Sequence, residues 1–379
     1  MSTAISVLGA DGTSGVADEF VELPWIVYGE DAVWIPEDPA SLRHRFSAEN
    51  AWFQRGQAQW WCIPGAARLA AFFVPELRVD GRAVAYFGLW ETTGDLDANR
   101  TLFAAAESWA RRRHAAALIG PIDFTTFSRY RLLTGGNATA RPFLQEPYNP
   151  PSYPGIVRRL GYEELPIRYF THVLTREHQR RLAERLAPDV ARVEGLGYRF
   201  ERVTPELWMG NLRALHAVCD HVFGEQFAYT PLSYDEFAVA CGERFIRRVE
   251  PDASVVMWAP DGTLAGFALN YPDWSPLLAL DAGDARLRPD DIDHDEHLPL
   301  LRARPRMDWL GRTGGILPAH RGHGAMAAMG GVLFGRMVDA GVWNRSVFGV
   351  GIVGNGIDHI LRGLDVTSRF FALYSKELA

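Results

Sequence analysis

A chain of 379 residues exceeds what one hydrophobic core usually organises, so two domains of about 180 to 190 residues each are expected. Its 47 % hydrophobic and 22 % charged residues are the composition of an ordinary soluble globular protein. A net charge of −7 argues against a nucleic-acid partner, because neutralising phosphates takes a concentrated basic face. No run approaches the length of a membrane span. Cys62, Cys219 and Cys241 are odd in number and lack C-x-x-C spacing, so neither a disulfide framework nor a zinc site is indicated. Residues 1–15 are polar and small, without an apolar signal core, so a cytoplasmic location is expected.

In chain order, residues 1–18 read as a flexible leader. Residues 20–50 are rich in aromatics and proline, as in Pro24-Trp25 and Trp34-Ile35-Pro36. Strands are expected at 59–63, 69–74 and 83–90. A helix follows over 97–114, where Leu102, Phe103, Ala106, Trp109 and Ala110 recur at three- and four-residue spacing. A buried strand at 115–121 precedes a segment, 122–148, that mixes hydroxyls, aromatics and arginine. It suits the wall of a polar ligand pocket, with Arg129 and Tyr130 as candidate substrate contacts, and equally suits a surface excursion covering the sheet. Residues 173–195 have the charged amphipathic pattern of a connecting helix. Then come a strand at 198–203, helices at 207–221 and 233–241, and strands at 255–258 and 266–271. Residues 281–297 read as a flexible acidic loop. Its Asp291, Asp293, His294, Asp295 and His297 match no standard metal-site spacing, so no metal is expected.

The most informative stretch runs from Ile316 and Leu317 through Pro318 to Arg321-Gly322-His323-Gly324-Ala325, followed by a helix to Ala340. A strand that stops at proline, a glycine turn and a helix N-terminus suit an anion site, with a plain structural turn as the other reading. The first helical N–H groups lack internal partners and carry the positive end of the dipole. Gly322 and Gly324 permit close backbone approach, and Arg321 adds fixed charge. There is no P-loop and no dinucleotide fingerprint. A repeat accompanies this turn. Asn149, then 156–161, then Arg168-Tyr169-Phe170 is echoed by Asn355, then 359–364, then Arg369-Phe370-Phe371. Self-similarity at half the chain length points to two related lobes. In the first lobe Glu91, Asp95 and Asp97 occupy the matching turn, where they repel an anion and suit a helix cap.

The order apolar strand, Pro, Arg-x-x-Gly, helix, apolar strand, short helix, aromatic strand resembles the second half of the GNAT superfamily, the general-control-type N-acetyltransferases. With Pro24-Trp25, Trp34-Ile35-Pro36, Gly120-Pro121, Tyr148-Asn149-Pro150-Pro151 and Tyr153, most of the chain is similar to a bacterial double-GNAT family. The family's turn reads Q/R-x-x-G-x-G/A; Arg321 and Gly324 fit it, and Met326 departs from it. The resemblance implies an α/β fold of two tandem lobes, each a mixed, mostly antiparallel sheet flanked by helices. On that reading 19–175 is a degenerate lobe, 176–196 a connecting helix and 197–379 an acyl-CoA-binding lobe.

The resemblance further implies acetyl-CoA or another acyl-CoA as co-substrate, held by Ile316, Leu317, Arg321, Gly322, His323, Gly324, Ala325 and Asn355, and no metal. The acceptor would be an amine of a small molecule or peptide. Tyr374 is the candidate acid or ordinary strand filling, Asp273 the candidate base or a turn cap, and Asn355 a pantetheine contact or a helix cap. His221 and Tyr229 join Arg129 and Tyr130 as substrate candidates. Two rivals stand beside this reading: transfer from aminoacyl-tRNA, and ligand binding without turnover.

Overall fold

The computed structural model describes residues 7–378 apart from 32, 137–140, 279–286 and 288. Contacts divide the chain into two compact units. The first comprises Met1–Arg168, Phe227–Thr230 and Phe370–Ala379, and the second Tyr169–Gln226 and Pro231–Arg369. The chain therefore changes unit inside two strands and by way of one short insertion, not within a linker. The helix expected to connect the lobes, 176–196, belongs to the second unit.

The first unit holds β1 (Leu8–Asp11), α1 (Asp18–Tyr28), α2 (Pro39–Arg45), β2 (Gln57–Ile63), β3 (Ala67–Val79), β4 (Arg82–Thr92), α3 (Leu96–Arg111), β5 (Ala117–Gly120), β6 (Leu132–Gly136) and α4 (Tyr153–Arg159). It also takes the beginning of β7 (Glu163–Thr175). Residues 8–11, expected within a loose leader, instead pair antiparallel with β2. Alternation along β2 makes three layers. Trp60 meets Phe20 of α1 at 5.4 Å on one face, and Trp61 meets Trp109 of α3 at 6.4 Å on the other. The α3 face is the core, closing over Leu69, Ala71, Phe87, Leu102, Phe103 and Ala106.

In the second unit, α5 (Arg176–Gly195), β8 (Arg199–Arg202), α6 (Pro205–Gly210), α7 (Leu212–Phe223), α8 (Tyr234–Cys241) and α9 (Glu243–Ile246) lead into β9 (Val255–Trp258) and β10 (Leu264–Pro272). There follow α10 (Ser275–Leu278), α11 (His294–Arg302), β11 (Asp308–Ile316), α12 (Ala325–Ala340), β12 (Arg345–Ile352), α13 (Gly356–Leu361) and β13 (Thr367–Glu377). The strand order is β7-β12-β11-β10-β9-β8. Ile316, Ala325, Met329 and Leu333 pack with Val255, Met257, Ala265 and Ala268, which seats α12 on the sheet. Part of the expected acidic loop, 281–286 and 288, lies outside the described residues. The rest holds a 3-10 turn, Pro289–Asp291, and the start of α11, whose N-terminus Asp293 caps.

One feature of this sheet positions the site. β11 and β12 run parallel and pair from Asp308–Arg345 to Gly311–Phe348. Beyond that, β11 continues to Ile316 against β10, and β12 continues to Ile352 against β7. The strands part and leave backbone groups facing a gap. The first unit repeats the device: β4 and β5 pair only from Val84–Ala117 to Tyr86–Ile119, while β4 runs on to Thr92.

Candidate functional site

Leu317 N–H donates to Ala265 C=O at 2.9 Å, so the chain is held to the sheet until it turns. A single 3-10 turn, Pro318–His320, leads to Gly322 with φ +101° and Gly324 with φ +70°. Gly324 is the N-cap of α12 and offers no capping side chain. The first intrahelical bond, Ala328 N–H to Gly324 C=O at 2.8 Å, leaves the N–H groups of Ala325, Met326 and Ala327 for an external acceptor. Arg321 lies against the turn, its Nε donating to Ile316 C=O at 2.9 Å and its head 46 % exposed toward Glu225. Exposed His323 contributes its carbonyl to Arg192 of α5, which also pairs with Asp189. Arg192 is a cation at the turn that sequence reasoning missed, because only the packing of α5 on α12 brings it there.

Ala325 is buried in the core under α12, where a larger side chain would lift the helix from the sheet. Met326, the departure from the family's pattern, turns away toward α13: its Cγ lies 3.4 Å from where Gly356 would carry a Cβ. It is also partly buried against the core under α12. Asn355 caps α13, its side-chain oxygen accepting from Asp358 N–H at 2.9 Å.

The helix after the corresponding strand in the first unit is closed by the chain itself. Asp95 caps α3, accepting from Asp97 N–H at 2.9 Å and Ala98 N–H at 3.0 Å. Where β4 leaves β5, Asp123 Oδ1 accepts from Leu89 N–H at 2.7 Å, so a carboxylate of this chain fills the gap.

The remaining candidates are placed each within its own unit. Tyr374 belongs to the first unit and is fully buried in its core. Its hydroxyl donates to Glu164 at 3.3 Å, and burial pushes its pKa up to about 12. It fills a strand. Asp273 follows β10 and accepts from Ser275 N–H at 3.1 Å, the turn-capping role. Burial raises its pKa, with Asp308 adding to the rise. Its N–H bonds Asp308 C=O, at the start of β11. It is thus roughly 26 Å from the Arg321 end of that nine-residue strand, at about 3.3 Å per residue. His221 is exposed on α7 and bonds Ala217 C=O. Tyr229 lies in the short insertion of the first unit against Phe127, while Arg129 and Tyr130 line a cavity of that unit.

A second group missed in the sequence sits where β11 and β12 part. His172 of β7 pairs with Phe348, the last residue of β12 joined to β11. Its Nδ1 lies 2.8 Å from Ser368 Oγ and its Nε2 3.4 Å from Asp358 Oδ1. Burial lowers its pKa against the opposing pull of Asp358, which favours a neutral imidazole.

The architecture matches solved structures over its whole length. A tandem GNAT protein from the clavulanic acid biosynthesis pathway aligns over 99 % of both chains with TM-score 0.52 and 13 % identity. A conserved protein of Enterococcus faecalis V583, described as a probable N-acyltransferase, aligns with TM-score 0.54 and 10 % identity over 98 % of this chain and 73 % of that one. The glucosamine N-acetyltransferase region of a fungal multi-domain GH3 β-N-acetylglucosaminidase gives TM-score 0.54 at 12 % identity, over 99 % of this chain and 38 % of that one. The chain has the tandem GNAT fold, as the resemblance implied. No protein-family model and no curated protein matches its sequence. Among the described residues, no helix is long and apolar enough to cross a membrane.

Proposed function

We propose that the second unit binds an acyl-CoA, most simply acetyl-CoA, and that the protein transfers the acyl group to an amine of a small molecule or peptide. The observation that carries this reading is the α12 N-terminus: uncapped, reached through two left-handed glycines and flanked by Arg321 and Arg192. Such an end suits a pyrophosphate, through its dipole and N–H groups. Ile316, Leu317 and the backbone of the parted strands would lie along the pantetheine arm, and backbone N–H there suits the oxygen of an acyl thioester. Attack by the amine requires that it lose a proton. We assign that task to His172, supported by Asp358 at its Nε2 and Ser368 Oγ at its Nδ1 as the contact through which a proton would reach the ring. Isothermal titration tests the reading. Acetyl-CoA should bind saturably and Arg321→Ala should weaken it; absent binding, or binding indifferent to Arg321, refutes it.

Binding without turnover is the second reading. It is supported by the burial of Tyr374 and by the hydrogen bond that Asp273 accepts from Ser275 N–H, which engage the two side chains first expected to move protons. A coupled thiol-release assay over a panel of amines separates the two: steady release with any amine excludes pure binding.

A further inference from the structure

Ser368, His172 and Asp358 come from three elements of the second unit, β13, β7 and α13, and form one chain of contacts. Ser368 Oγ lies 2.8 Å from His172 Nδ1, and His172 Nε2 lies 3.4 Å from Asp358 Oδ1. A carboxylate only accepts, so the N–H of a neutral imidazole belongs on Nε2 and Nδ1 is left as an acceptor. Ser368 then donates to Nδ1; its other acceptor, Val366 C=O at 3.4 Å, is the longer contact. A hydroxyl that donates to an imidazole whose far nitrogen is held by a carboxylate is an activated nucleophile. That constellation is recognised by geometry and not by sequence position.

The surroundings hold each member in place. Asp358 Oδ2 accepts from Gly354 N–H at 2.7 Å, and Asp358 N–H donates to Asn355 Oδ1 at 2.9 Å. The Asn355 cap thus aims the carboxylate as well as starting α13. The Phe170 ring stacks on the imidazole at 3.9 Å and 19°. Burial keeps that imidazole neutral, the form able to take a proton. His172 is 8 % exposed, whereas Ser368 is partly exposed, so the end of the chain that would attack is the one a substrate can reach.

We propose that Ser368 is a nucleophile, activated by His172 and Asp358, and that the second unit cleaves small activated acyl esters through an acyl-serine intermediate. Ser368 Oγ attacks the carbonyl carbon while its proton passes to His172 Nδ1. The bond from the carbonyl carbon to the leaving group breaks, and the leaving group takes that proton. Water then adds to the acyl-serine and gives a proton to Nδ1. Ser368 Oγ departs with it, and the carboxylic acid is released. The products are one alcohol and one acid, with water as the only co-reactant. The step shares His172 with the amine-transfer reading but needs no acyl-CoA, so an ester without a CoA moiety tests it alone.

The probe is p-nitrophenyl acetate, followed by nitrophenol release and by mass spectrometry of acid-quenched protein. Release should be saturable, and an acetyl group should appear on the peptide that carries Ser368. A fluorophosphonate should label Ser368 in the wild-type protein and stop the release, a result that needs no variant to fold. Ser368→Ala should remove the adduct and lower kcat/KM about 100-fold, and His172→Gln should do the same. The double variant should be no slower than the worse single one, because the two residues act as a unit. Release unchanged in Ser368→Ala, an adduct or label only on other residues, or losses that multiply in the double variant overturn the proposal. Ester cleavage by a protein that fails to bind acetyl-CoA sinks the acyl-CoA reading alone. Acetyl-CoA binding without any Ser368 adduct sinks this one alone.

Discussion

The turn before α12 makes a quantitative prediction because its two left-handed glycines stand in different surroundings. Gly322 has open space where a Cβ would go, whereas a Cβ on Gly324 would run into the Arg192 guanidinium. Gly322→Ala should therefore cost only the left-handed conformation, about 1–2 kcal/mol. Gly324→Ala should cost that and also displace Arg192 from His323 C=O and Asp189. A charged hydrogen bond is worth about 1.5–3 kcal/mol, and the low end applies because Arg192 is 49 % exposed. The sum is about 3 kcal/mol. In an Arg192→Ala background the steric part vanishes, so Gly324→Ala should return to about 1–2 kcal/mol and the pair should show coupling of about 1.5 kcal/mol. Urea denaturation measures all four species, and acetyl-CoA titration should rank Gly324→Ala as the weakest binder. Equal costs for the two glycines, or no coupling with Arg192, would refute the argument.

Other consequences are simpler to check. Burial raises the Asp273 pKa, so the folded protein holds that proton to higher pH than the unfolded chain. The group then costs stability as pH rises from the ordinary value of about 3.9 through its folded pKa. Asp273→Asn, which keeps the acceptor for Ser275, should gain on the wild type across that window in denaturation series; a pH-independent difference contradicts this. Burial pushes the Cys62 thiol up to about 11 and Cys241 up to about 12, and it raises Cys219 as well. Native protein should accordingly resist Ellman's reagent at pH 8 and yield three thiols after denaturation. His172→Gln should lower kcat about 100-fold, the low end for general-base loss, while leaving the acetyl-CoA Kd unchanged. A parallel loss of affinity would make His172 a structural residue.

The strand–proline–glycine–helix order around Arg321 was legible because backbone chemistry is written locally: proline ends a strand, and glycine alone enters left-handed turns freely. The same holds for α3, whose apolar period carried the expected helix at 97–114 to within a few residues of Leu96–Arg111. What the sequence could not place depended on long-range pairing. Tyr374 was a candidate through the family resemblance and Asp273 through its place after a strand amid aromatics, and only the register shows one inside a core and the other beside the start of β11. His172 was obscured because the charged pattern after it drew the expected helix back to residue 173. The capping box at Thr175 and His178 places the true start, and a threonine before a charged run was the available signal. Residues 8–11 form a strand too short for alternation to reveal.

The two units meet the same physical demand in opposite ways. Parting of parallel strands and an unpaired helix start both leave backbone N–H groups that need acceptors. In the first unit the chain supplies them from Asp123 and Asp95; in the second, the N-cap of α12 is a glycine with no side chain to give. Asp95→Ala should therefore cost about 1 kcal/mol, an ordinary N-cap loss. Asp123→Ala should cost more, about 3 kcal/mol or above, since it orphans the buried Leu89 N–H and removes a carboxylate from Arg129. Urea denaturation of the two variants measures this directly. If Asp123→Ala is no worse than Asp95→Ala, the carboxylate is not what closes the first unit's gap, and the contrast drawn with the uncapped α12 loses its basis.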